Sequence, residues 1–136
     1  YDQGRTALSE AEAEGTPEAF HEWRKQVKYL RHELEFLAPV WPEVLRELAG
    51  QAHKLADDLG DEHDLTVLRV KAQVHHDTLS TDFSLLLALI DRRRSELRDK
   101  AVSRGRQLYE EKPRAFATRF SGYWDNWQRN GSPGAP

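Results

Sequence analysis

From His21 to His32 the chain runs His21-Glu22-Trp23-Arg24-Lys25-Gln26-Val27-Lys28-Tyr29-Leu30-Arg31-His32, with basic side chains at i, i+3, i+4, i+7, i+10 and i+11. At about 100° per residue of an α-helix, His21, Arg24, Lys25, Lys28, Arg31 and His32 share an arc of roughly 120° that extends about 15 Å along the axis. Like charges at i,i+4 repel by about 0.2–0.5 kcal/mol per pair, so a helix that stacks them gives up stability. An anion laid along the stripe would compensate. A solvated face beside acidic neighbours is the competing reading, and this helix alone leaves both open.

Other residues suggest other chemistry. Asp57, Asp58, Asp61, Glu62 and Asp64 crowd one segment, and carboxylate oxygens suit Mg²⁺ or Ca²⁺, but the EF-hand spacing is absent. The favoured reading is that the cluster caps a helix and pairs with nearby basic side chains, with His63 held by a neighbour so that it presents a ring N–H to an anion. Glu18-Ala19-Phe20-His21 has the form of a di-iron Glu-x-x-His, but a second copy is missing.

His53, in Ala52-His53-Lys54-Leu55, is placed like a phosphoacceptor of a histidine phosphotransfer protein, yet Asp57 and Asp58 follow where a phosphate needs positive charge. That function is kept as an alternative. A nucleic-acid-binding helical domain is the third reading, with Trp23 and Tyr29 as stacking platforms; Trp23 falls on an apolar face, and the net charge is −3. No nucleophile triad, glycine-rich phosphate loop or metal motif is present, so no enzyme, cofactor or metal is assigned.

The elements that must position these residues are helices. Glycine and proline punctuate the sequence, and no alternating β-branched run suggests a strand. The pattern predicts a helix over Asp2–Glu14, and a second that Thr16 caps and Pro17 opens, lasting to about Ala38. Phe20, Trp23, Val27, Leu30, Leu34 and Leu37 form the apolar face of the second, beside the cationic stripe.

A third helix is expected from Val44 to about Gly60, a fourth from Asp64 to about His76 with Asp64 at its start, a fifth after Asp82 to about Glu111, and a sixth from Pro113 through Trp127. On the fifth, Arg93, Lys100 and Arg104 share the arc of Leu86, Ile90, Leu97 and Ala101, which suggests an anionic pocket or an ion-pair network. The prediction is therefore an all-α antiparallel bundle of four main helices plus a preceding helix. Residues 1–15 would end a preceding unit, 16–129 form the bundle, and 130–136 a tail.

Composition agrees. With 136 residues, 38% of them apolar and 32% charged, the chain suits one globular domain. No cysteine is present, which excludes disulfides and thiolate chemistry. No apolar run spans a membrane and no signal peptide is visible, so a cytoplasmic location is expected. With Tyr1 first and no methionine, the sequence is compatible with a piece of a longer protein and leaves that open. A faint echo, Gly4-Arg5 with Pro17-Glu18-Ala19-Phe20 against Gly105-Arg106 with Pro113-Arg114-Ala115-Phe116, hints at duplicated helical units.

With these segments in hand, the chain resembles the second half of a CHAD domain, the α-helical family named for its histidines. His21-x-x-Arg24-Lys25-x-x-Lys28 is similar to the family's basic helix. Leu59-Gly60-x-x-His63-Asp64-Leu65-x-Val67-Leu68 is similar to its histidine–aspartate turn, and Gly105-Arg106-x-Leu108-Tyr109 with Pro113-x-Ala115-Phe116 to the closing segment.

The resemblance implies two similar bundles around a basic groove, inorganic polyphosphate as ligand, association with polyphosphate granules, and at times a triphosphate-tunnel enzyme domain as companion. It implies polyphosphate contact for His21, Arg24, Lys25 and Lys28, with Arg31 as an extension, and a supporting role for His63 and Asp64. Helical phase adds Arg93, Lys100 and Arg104. His21 and His32 would strengthen binding as pH falls below neutrality. The expectation is a non-catalytic polyphosphate-binding module for granule targeting or scaffolding, with a second CHAD-like half as partner.

Overall fold

A computed structural model describes residues 1–75 and 82–130, and what it describes is an all-α bundle. Helix α1 spans Asp2–Glu14 and stops at Gly15, whose φ of 64° lies in the left-handed region that glycine enters without steric cost; its N–H bonds to the Ala11 carbonyl. The Thr16 hydroxyl then accepts the Ala19 N–H at 3.2 Å, and Pro17 opens α2, Pro17–Leu37. A 3₁₀ turn, Ala38–Val40, leads into α3, Pro42–Val74. Helices α4, Phe83–Leu108, and α5, Pro113–Arg129, complete the chain.

One expectation is corrected here. The predicted third and fourth helices are a single helix, and Gly60 and Asp64 lie inside it. Asp64 therefore caps nothing. A mid-helix glycine costs about 1 kcal/mol relative to alanine. Packing on either side of it outweighs that: Leu55, Asp58, Leu59 and Glu62 are all buried. The fifth predicted helix ends at Leu108, three residues early, and Ser80, Thr81 and the tail after Asn130 lie outside the described residues.

Trp23, Val27, Leu34, Leu45, Leu55 and Leu59 are the largest side chains sealed in the core, joined by Leu8 and Ala11 of α1 and Ala101 of α4. Helix α1 thus shares one core with α2 to α4, and packing is continuous across the boundary drawn at residue 15. Burying each large side chain contributes about 1.5–3 kcal/mol. The two glycines of the sequence echo have one physical role: Gly4 lies against Tyr109 and Gly105 against Trp23, with no room for a Cβ at either.

Helix α5 differs. None of its residues is buried. It is held by ring contacts, Tyr1 on Phe116 at 3.8 Å and Trp41 edge-on to Tyr123 at 4.9 Å, and by the Glu111–Arg119 pair at 2.6 Å.

Candidate functional site

Helices α2 and α3 run antiparallel, so the basic flank of α2 lies along α3. Arg31 Nη1 sits 3.0 Å from His53 Nδ1, the Arg24 guanidinium covers Gly60, and the His21 and His63 rings face each other at 5.1 Å between centroids. The order along α2 is Arg31, Lys28, Arg24, His21, a row about 15 Å long with an imidazole of α3 at each end. This seam is the candidate site.

Its cations differ in how they are balanced. Lys25 bonds Glu22 at 2.8 Å, Arg31 bonds Glu35 at 2.8 Å, and His32 lies 3.2 Å from the same Glu35. Hydrogen bonds from Lys25 and then Gln26 hold the Glu22 carboxyl below the usual carboxylate range, and Arg31, with His32 adding to it, does the same for Glu35. Arg24 and Lys28 have no carboxylate in ion-pair range among the described residues, and Lys28 is exposed. Asp64 is exposed and makes no ion pair among them.

Arg31 can only donate, so its contact makes Nδ1 of His53 the acceptor and engages the lone pair there. Asp57 lies 3.5 Å from the same nitrogen.

The three α4 cations expected at the site are elsewhere. Lys100 Nζ lies 2.7 Å from Asp58 Oδ1, and Arg104 Nε 2.8 Å from Asp58 Oδ2, though misaligned for a hydrogen bond. Arg93 pairs with Glu96 of its own helix at 3.2 Å. For Lys100 and Arg104 the geometry is that of an ion-pair network rather than a binding pocket, whereas Arg93 makes a surface pair within α4. Asp58 and Glu62, one turn apart on α3, are the network's buried acids.

Glu62, only 3% exposed at its side chain, receives Arg94 Nε at 3.2 Å and Arg98 Nε at 2.9 Å, and the Thr66 hydroxyl at 3.3 Å. Arg98 also donates to the Gly15 carbonyl at 2.7 Å and covers the Phe20 ring at 4.3 Å. Sequence reasoning foresaw that the acidic segment pairs with basic side chains but missed Arg94 and Arg98. Their partner lies more than thirty residues away, and no local spacing announces it.

Trp23 is fully buried, so it offers no stacking surface to a base; Tyr29 is exposed. Among the described residues no three His, Asp or Glu assemble as a metal site, and no helix is long and apolar enough to cross a membrane. An apolar cleft of about 290 Å³ between the 3₁₀ turn and α5 is lined by Leu37, Val40, Leu45, Phe120, Tyr123 and Trp124, away from every cation of the seam. Comparison with curated proteins and with solved structures finds no significant match. The family model of the CHAD domain matches residues 1–73, more than half of the chain, and the protein belongs to the CHAD domain family.

Proposed function

We propose that this chain binds inorganic polyphosphate without transforming it, through the α2–α3 seam, and so serves as a granule-targeting or scaffolding module. The CHAD family is associated with polyphosphate binding, and the matched span holds the entire seam and none of α4. The observation that carries the reading is that Arg24, partly exposed, and Lys28, exposed, stand side by side at i,i+4 with no carboxylate to balance them among the described residues.

Polyphosphate is a flexible anion with charge on every unit. Successive phosphoryl groups meet cations spaced along one helix through charge-assisted hydrogen bonds, and no sequence has to be read. His21, His63 and Arg31 flank the two free cations. Lys25 and His32 are tied to glutamates of their own helix and lie at the rim. Arg93, Lys100 and Arg104, already neutralised, are left out of the site.

Immobilised long-chain polyphosphate tests this. The double variant Arg24→Ala, Lys28→Ala should lose retention while its helical circular dichroism stays unchanged. Binding by the parent chain should weaken steeply with salt as counterions are released. Undiminished retention by the double variant overturns the proposal.

A further inference from the structure

Gly60 stands in the middle of α3 without a conformational reason. Gly15 alone among the described residues has a positive φ, and α3 passes through Gly60 unbroken. What a side chain there would meet is Arg24. A Cβ built there would lie 3.4 Å from Arg24 Nη2, 3.5 Å from Nε and 3.8 Å from Cζ. Nε and Nη2 are thus both nearer to that position than Cζ, so the guanidinium turns its Nε–Nη2 edge toward Gly60. Among the described residues Arg24 Nε is buried with no hydrogen-bond partner, although the residue as a whole stays partly exposed.

We infer that Gly60 is a positioning residue for the anion seam: its small size lets the Arg24 guanidinium rest its Nε–Nη2 edge against α3, which fixes the group beside Lys28 and His21. Lys28 is one turn away on one side and His21 one turn away on the other. An arginine held in this way is already immobilised when a phosphoryl group arrives, where a free side chain would have to be immobilised first. The contact distance also sets the size limit. Alanine's Cβ meets the guanidinium at ordinary van der Waals contact and is tolerated. The two γ-carbons of valine reach into the layer that the guanidinium occupies and displace it.

This inference rests on the polyphosphate reading, and the experiment separates the two. Dissociation constants for long-chain polyphosphate, with their salt dependence, are measured on the full chain. Arg24→Ala should weaken binding about tenfold and reduce the slope of log K against log salt by about 0.7, the loss of one phosphate-neutralising cation. Gly60→Val should do the same although every cation is retained, and Gly60→Ala should stay within about twofold. In the Arg24→Ala background, Gly60→Val should change binding no further. Alanine and valine both exceed glycine in helix propensity, so α3 should remain helical by circular dichroism.

A measurement on the native chain does not depend on any variant folding. The buried Arg24 Nε–H should exchange slowly with water and shift in the NMR spectrum on addition of polyphosphate. Normal binding by Gly60→Val alongside loss in Arg24→Ala overturns the positioning role alone, as does a fast-exchanging Nε–H or a further loss in the double variant. Normal binding by Arg24→Ala and Gly60→Val overturns the polyphosphate reading together with it.

Discussion

Helices α2 and α4 are both crowded with Lys and Arg, and they use them oppositely. Every Lys and Arg of α4 has a carboxylate: Arg92 and Arg93 share Glu96, Arg94 takes Asp91 and Glu62, Arg98 takes Glu62, Lys100 and Arg104 take Asp58, and Arg106 takes Glu12. On α2, Lys25 and Arg31 are balanced, and Arg24 and Lys28 are not. Basic density along a helix therefore does not mark a site. What marks it is charge that the fold leaves unmatched on an open face. The α4 network instead ties that helix to α3, because Asp58 and Glu62 are buried acids that must be matched.

The sharpest way to break this contrast is to remove the buried acid. Glu62→Ala leaves Arg94 and Arg98 without their buried partner and should lower stability by about 3 kcal/mol, read from the urea midpoint, with polyphosphate affinity of the folded chain unchanged. A loss below about 1 kcal/mol would mean that α4 is not anchored as described.

Next comes a matched pair of charge deletions. Arg24→Ala, Lys28→Ala should cut polyphosphate affinity by about 10- to 100-fold at low salt with less than about 0.5 kcal/mol lost in stability. Lys100→Ala, Arg104→Ala removes the same charge from α4. It should change affinity less than about threefold yet cost roughly 1–2 kcal/mol, since Asp58 is left buried and unpaired while Lys100 itself is half-exposed. Equal losses of affinity in the two double variants would erase the distinction between the helices.

The smallest effect sharpens the comparison in the other direction. Glu22→Gln with Glu35→Gln releases Lys25 and Arg31, so affinity should rise about two- to threefold by titration at neutral pH, by simple addition of unmatched charge. Acid should mimic the substitution. Both carboxyls are held below their ordinary range by these cations, so their contribution to stability is present above about pH 4.5 and is lost as the pH falls through the lowered values. Affinity of the folded molecules should strengthen over that same interval.

Much of this was legible in the residues. The bounds of α1, the Thr16 cap with Pro17, and the apolar face of α2 follow from spacing and capping chemistry that act within a turn or two. The break expected at Gly60 fails for a reason that lies outside its neighbourhood. After Leu59 the face of α3 toward α4 continues as Glu62, Thr66 and Arg69, which read as surface until Arg94, Arg98 and Asp91 are brought against them.

The same holds for the site. The α2 stripe was visible as a pattern, but which of its members are free depends on partners on α2 and on the opposing helix. Arg104 and Lys100 lie in phase with the core and looked like ligand contacts; only the placement of Asp58 gives them a partner. Gly60 has the spacing of a helix terminator, and its role as a seat for Arg24 is tertiary.

The loose attachment of α5 has a spectroscopic consequence. Of the four tryptophans, Trp23 alone is sealed in the core, while Trp41 and Trp124 are more than two-fifths exposed and Trp127 shares the α5 surface. Intrinsic fluorescence therefore carries two signals, a large red shift as Trp23 leaves the core and a smaller change as α5 detaches from the 3₁₀ turn, whereas far-ultraviolet ellipticity reports on the whole bundle. Melting curves followed by emission and by ellipticity should fail to superimpose, and a free energy fitted to the emission alone would mix the peeling of one helix with the unfolding of the domain.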